Sequence, residues 1–188
     1  MNTPNKLTIL RMVMVPFFLL FLLVESIPFH GLWALIVFAA ASITDALDGH
    51  IARSRNLITD FGKFLDPVAD KVLTFSALIA FIELGCASSV AVVIMMAREF
   101  LVSSLRMVAA GNGTVIAAGM LGKLKTAVTM VSIVAVLACL ALMDFGLLSA
   151  GFPVETVSNV LVWISAAITV VSGAEYLWVN RAQFASSK

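Results

Sequence analysis

Charge is scarce in this chain. Of its 188 residues only 12% are Asp, Glu, Lys or Arg, against 61% hydrophobic residues and a mean hydropathy of +1.06. A soluble domain carries about twice that share of charge, so a water-soluble enzyme is excluded and most of the chain belongs in lipid. Cysteine is equally sparse: Cys86 and Cys139 form neither a disulfide framework nor a metal spacing and read as small apolar residues. With only two histidines there is no His/Cys cluster for zinc or copper. Alternation of apolar and polar residues is missing from runs such as "FFLLFLLV" and "AVLACLAL", which excludes a membrane β-barrel. No internal repeat is visible, and no small-residue cleavage site follows the first apolar run, so that run is read as a retained helix rather than a signal peptide.

What remains is a set of apolar runs long enough to cross a bilayer, each needing ~20 residues. Six are expected, in one all-α polytopic membrane domain covering residues 1–188. They run roughly from Leu7 to Glu25, Gly31 to Arg53, Phe64 to Leu84, Ser88 to Ala110, Gly122 to Phe145 and Thr156 to Trp178. Pro16 is expected to turn the first helix, with Asn5, Lys6 and Arg11 lying in the membrane interface before it.

Lys and Arg are absent from three connections, around 26–30, 85–87 and 146–155. They gather instead at Lys6 and Arg11, at Arg53, Arg55 and Lys63, at Lys123 and Lys125, and at Arg181 and Lys188. By the positive-inside rule both termini and the end of the second helix face the cytoplasm.

Against this background "DALDGHIARSRNLITDFGKFLDPVADK", residues 45–71, is anomalous. Asp45 and Asp48, three apart, share a face near the end of the second helix; Asp66 and Asp70, four apart, share one at the start of the third, with Pro67 accepted in its first turn. Any one of these aspartates reads as a solvated helix-end charge or a salt-bridge partner. Four together carry an insertion cost of ~2.5–3.5 kcal/mol for each ionised group, which calls for positive charge between them. Hard oxygen donors without His or Cys select Mg2+ or Mn2+, and four carboxylates match two such ions, a pair suited to phosphoryl chemistry. Gly49, Ala52 and Gly62 present little side chain beside these faces, permitting either close helix packing or close approach of a bulky ligand.

The residues fit D-x-x-D-G-x-x-A-R-x8-G-x-x-x-D-x-x-x-D throughout, through Asp45, Asp48, Gly49, Ala52, Arg53, Gly62, Asp66 and Asp70. This resembles the signature of the CDP-alcohol phosphatidyltransferase family. The resemblance implies a six-helix membrane enzyme, usually a homodimer, that moves a phosphatidyl group from a CDP-linked lipid to an alcohol and releases CMP. It implies Asp45, Asp48 and Asp66 as ligands of a two-metal site and Asp70 as both ligand and general base. Gly49, Ala52, Arg53 and Gly62 would border the cytidine diphosphate.

The remaining polar residues bear on the acceptor. Glu99, Ser103 and Arg106 share a face of the fourth helix. Arg98 with Glu99 reads as a buried ion pair, and Arg106, Lys123 and Lys125 read either as a positive-inside flank or as a site for an anionic acceptor. "PNKLTILR", "FLDPVADK", "REF" with "SSLR", and "GKLKT" resemble one branch of the family, the bacterial phosphatidylglycerophosphate synthases. That branch implies CDP-diacylglycerol as donor and sn-glycerol 3-phosphate as acceptor, with Lys71, Arg98, Arg106, Lys123 and Lys125 as candidates for the phosphate. Thr129 stands where the branch often has glutamine. Membrane lipids are the expected surroundings, the cytoplasmic membrane the expected location, and no nucleic acid is expected as a partner. The alternatives are another acceptor (serine, inositol phosphate or phosphatidylglycerol) and, in a different class, a small divalent-cation transporter. Asn5, Thr8 and Arg11 also resemble a family motif and are expected to pack over the cytoplasmic slot. His50 and the tryptophans read as interfacial or packing residues.

Overall fold

A computed structural model describes residues 3–54, 60–111, 119–149 and 151–185, and gives only the backbone course of residues 3–5, 46–54, 60–67 and 182–185. The described residues form six helices and no strand: α1 (Thr3–Leu23), α2 (His30–Ser54), α3 (Asp60–Glu83), α4 (Ser89–Gly111), α5 (Met120–Asp144) and α6 (Val154–Ala185). The all-α reading and the number of helices stand. Three helices contain spans apolar and long enough to cross a membrane, Lys6–Leu23, Met120–Asp144 and Val154–Arg181; α2 contributes a shorter apolar stretch, His30–Asp45.

Three features differ from expectation. α1 runs unbroken through Pro16, because losing one i to i−4 bond does not end a helix whose neighbouring turns are held by packing. α3 begins at Asp60, about one turn before the expected start, so Pro67 falls in its interior and not in its first turn. α6 continues to Ala185, beyond the apolar run that defined its expected end.

The chain divides into two compact units. The first holds residues 1–84 and 133–154, and there α1 packs against both α2 and α3. Its core is apolar and aromatic: Phe18 and Phe38 meet with ring centroids 5.6 Å apart, and Leu22, Leu73, Phe81 and Leu137 are fully buried or nearly so. Along α1 the buried positions are Thr8, Arg11, Val15, Phe18 and Leu22, an alternating three-four spacing that draws one stripe, while Leu10, Val13, Phe17 and Leu20 lie exposed. The exposed side is the more uniformly apolar one, as expected of a helix whose solvent is lipid.

The second unit holds residues 85–132 and 155–188. Here the inversion is plainer. Ser158, Ser165, Thr169 and Ser172 are buried along α6, whereas Val160, Trp163, Ile164, Val170 and Val171 are exposed. Small polar side chains let helices approach closely and find partners where lipid offers none. Ser132 of α5 and Ser165 of α6 lie 3.0 Å apart, and the Ser165 hydroxyl donates to the carbonyl of Leu161.

In the first unit, the start of α2 is closed by a distant side chain. The amides of Gly31 and Leu32 donate to Asp144 Oδ2 at 2.7 and 3.3 Å, and His30 Nε2 lies 3.4 Å from Asp144 Oδ1. A helix start exposes unpaired N–H groups and favours negative charge, so Asp144 at the end of α5 serves as the cap that no residue beside α2 supplies. The approach is tight: a Cβ on Gly31 would meet Asp144 Oδ2 and the backbone of Leu140 and Ala141 at 2.9 Å. Phe29, just before the helix, takes a positive φ of 57°, and its ring lies 5.0 Å from that of Phe145.

Asp144→Ala is therefore expected to cost about 1–2 kcal/mol through loss of the cap. Gly31→Ala is expected to cost more, since the new methyl meets backbone that cannot yield. Thermal unfolding in detergent checks both; equal or smaller loss in the glycine variant would mean that α2 and α5 separate easily here.

Candidate active site

The signature falls on two consecutive helices of the first unit. Asp45, Asp48, Gly49, Ala52 and Arg53 belong to α2, and Gly62, Asp66, Asp70 and Lys71 to α3. The side chains of Asp48, Gly49, Ala52, Arg53, Gly62 and Asp66 lie outside the described residues, as does that of His50. Asp45, Asp70 and Lys71 are described, and each is partly buried. Among the described residues no three His, Cys, Asp or Glu side chains gather into a metal-holding group.

Asp45 has a partner that the aspartate spacing does not announce. Arg11 Nη1 of α1 lies 2.6 Å from Asp45 Oδ1; the arginine side chain is 0% exposed and the aspartate 45%. A guanidinium carried on an apolar helix is thus brought against the first aspartate of the signature. Thr8, one turn earlier on the same stripe, is also fully buried. Of the three residues expected over the cytoplasmic slot, Arg11 meets Asp45 and Thr8 is buried, while the side chain of Asn5 lies outside the described residues.

The donor chemistry fits a hard divalent cation. Four carboxylates on two helices of one unit supply only oxygen, and Asp45, with one oxygen on Arg11 and a half-exposed side chain, retains a second oxygen for another partner.

The basic residues of the second unit make a separate constellation. Arg98 Nη1 donates to Glu99 Oε1 at 2.8 Å and its Nη2 to Ser172 Oγ of α6 at 2.8 Å. Lys125 Nζ of α5 pairs with the same Glu99 oxygen. All three charged side chains are largely buried, so the ion pair read from Arg98 and Glu99 is present and has a second cation. Gly173 makes room for it: a Cβ there would stand 2.9 Å from Arg98 Cγ, part of the stem and not its mobile end. Two cations on one carboxylate in a low-dielectric setting form an arrangement that attracts a further anion.

Arg106 lies farther along α4, its guanidinium carbon 5.3 Å from the ring centre of Tyr176. This cation–π contact orients the head without using its hydrogen-bond donors, and Nε is buried without an acceptor among the described residues. Lys123 is exposed, and Thr129, at the position where glutamine was expected, is buried.

Sequence reasoning missed the shared role of Glu99, and the contributions of Ser172 and Gly173. Lys125 and Ser172 stand 26 and 74 residues from their partners, and no local spacing joins them. The only visible signal was a lone glycine after a serine in an otherwise apolar helix.

Comparison with known proteins agrees with the signature. Residues 1–171 match the family model described as CDP-alcohol phosphatidyltransferase. A protein of Bacillus subtilis (strain 168) is 41% identical over 190 residues, covering 95% of each chain. One of Rickettsia typhi is 34% identical over 97% of this chain and 99% of its own, and one of Haemophilus influenzae 35% identical over 96% and 94%. All three are named CDP-diacylglycerol--glycerol-3-phosphate 3-phosphatidyltransferase. With a family model covering most of its length and relatives alike from end to end, this chain is a member of the CDP-alcohol phosphatidyltransferase family.

Proposed function

We propose that the protein transfers the phosphatidyl group of CDP-diacylglycerol to sn-glycerol 3-phosphate, giving phosphatidylglycerophosphate and CMP. The observation that carries this is the eight-position aspartate signature on α2 and α3, in a chain whose full-length relatives bear the name of that reaction. Cation transport is not favoured, because those relatives are named as transferases and the signature aspartates are confined to one stretch.

In this reading Asp45, Asp48, Asp66 and Asp70 hold the metal. When bound, two Mg2+ or Mn2+ ions supply the positive charge that a diphosphate and a departing CMP require. Gly49, Ala52 and Gly62 leave space for the cytidine diphosphate, and Arg53 is the cation beside it. Asp70 takes the proton from the attacking hydroxyl of the acceptor. The oxygen so freed forms a bond to the phosphorus that carries the diacylglycerol, and the bond from that phosphorus to the bridging oxygen of CMP breaks.

The acceptor's phosphate dianion is matched by Lys71, Arg98, Arg106, Lys123 and Lys125. Support comes from the second unit: Glu99 and Ser172 fix the direction of Arg98, Glu99 holds Lys125, and Arg106 keeps a buried donor without an acceptor among the described residues. Serine, the acceptor in one alternative, gives these cations no phosphate to meet.

We further read all six helices as membrane-spanning, in a single catalytic domain that works as a homodimer. Both termini and the aspartate end of α2 face the cytoplasm, as the distribution of Lys and Arg directs. A water-soluble acceptor thereby meets a donor whose acyl chains stay in the bilayer.

The direct test is CMP release by purified protein supplied with CDP-diacylglycerol and a panel of alcohols, with and without EDTA. Release is expected with glycerol 3-phosphate and not with serine, inositol phosphate or phosphatidylglycerol, and is expected to stop in EDTA; release with another acceptor alone would reassign the reaction. Asp70→Asn is expected to lower kcat by about 10²–10⁴-fold while CDP-diacylglycerol still binds. Loss of donor binding in that variant would make ligation its main role. Arg106→Ala is expected to raise KM for glycerol 3-phosphate by about 10-fold or more, with the donor KM little changed. The opposite ranking would move Arg106 away from the acceptor.

A further inference from the structure

The proposed chemistry leaves the placement of Arg11 in the first unit unused. It stands in the apolar helix α1 and its side chain is fully buried. Its described neighbours along the buried stripe are Thr8, Val15 and Phe18, a mostly apolar company. A cation buried in such a place is costly unless it is paired, and Asp45 at 2.6 Å is a partner for it among the described residues. The geometry is asymmetric. The guanidinium is sealed within the unit, whereas the carboxylate it holds is 45% exposed. The arginine, buried in the unit, brings Nη1 to Oδ1 of the first aspartate in the signature.

Resting on the metal reading given above, we propose that Arg11 is a permanent internal counter-cation of the aspartate site. It fixes the Asp45 carboxylate and offsets part of the four-aspartate charge whether or not divalent ions are bound. The need follows from electrostatics. Four carboxylates on two adjacent helices repel one another whenever metal is absent, and in a low-dielectric surround that repulsion acts to part α2 from α3. A mobile divalent ion relieves it only while bound. A guanidinium delivered from α1, the helix that packs on both, relieves it continuously and ties α1 to the site. Arginine suits the task better than lysine, since it stays charged when buried and its planar head sets the direction of the carboxylate it meets. Arg11 is thus a positioning residue: it acts through Asp45 and touches neither donor nor acceptor.

Thermal unfolding of the purified full-length protein in detergent, in EDTA and in saturating Mn2+, tests this without recourse to turnover. In wild type a modest rise in Tm with Mn2+ is expected. Arg11→Met is expected to lower Tm in EDTA by ~5–10 °C and to show a larger Mn2+-induced rise, because the metal then does alone what the arginine shared. Arg11→Lys, which keeps the charge and loses the planar fork, is expected to fall between the two and serves if the methionine variant does not accumulate in membranes. In an Asp45→Asn background the effect of Arg11→Met is expected to shrink markedly.

A wild type stabilised by Mn2+, with Arg11→Met and Arg11→Lys showing the same EDTA Tm and the same rise, would overturn the role of Arg11 and leave the metal reading standing. Equal loss from Arg11→Met with and without the Asp45 carboxylate would overturn it too. A wild type with no response to Mn2+ would overturn the metal reading and this inference with it.

Discussion

A charge placed inside an apolar helical unit must bring its partner with it, and the polar architecture described above follows from that constraint. Lipid supplies no counter-ion and no hydrogen bond, so every ionised group has to be answered by another element of the chain. Arg11 of α1 is answered by Asp45 of α2. Glu99 of α4 is answered by its neighbour Arg98 and by Lys125 of α5. Asp144 at the end of α5 is answered by the amides that open α2. All but the Arg98–Glu99 contact join different helices, so the cost of burying charge is turned into a specification of which helices lie together. In a soluble bundle apolar contact would give most of that information.

The same constraint explains why the helices look inverted. Along α6 the buried face mixes serine, threonine and glycine with Val162, Ala166 and Tyr176, while valine, isoleucine and tryptophan stand exposed. Apolar side chains gain nothing by leaving lipid for a protein interior, so the interior is free to be polar if every group is satisfied. Gly173 and Ser172 show the use made of this freedom: one gives clearance to the stem of Arg98 and the other accepts a hydrogen bond from its head. A cation that would be a defect on a lipid-facing surface becomes an ordered donor set.

Much of this was legible before any coordinates. Composition gave a membrane protein, run lengths gave six helices, and the aspartate spacing gave the family, because each depends on patterns local in sequence. The ends of helices were less legible. Pro16 does not break α1 and Asp60 begins α3 earlier than its apolar run, since an apolar run does not fix where a helix starts or stops. The tertiary partners were not legible. Lys125 with Glu99, Ser172 with Arg98, and Asp144 with Gly31 are joined across 26, 74 and 113 residues, and nothing in a single sequence couples such positions. Arg11 was visible as part of an N-terminal motif, but its attachment to Asp45 was not.

The cap on α2 has a temporal side. Asp144 lies 113 residues downstream of the amide it receives. At ~5–20 residues per second, a ribosome needs roughly 6–23 s to make that stretch, and for this interval the nascent α2 has its opening turn without the carboxylate it ends with. The N–H groups of Gly31 and Leu32 must be served meanwhile by water or lipid headgroups, and arrival of the last turn of α5 displaces those temporary hosts. Completion of the fifth helix thus doubles as the signal that seals the second, which orders the assembly of the unit in time as well as in space.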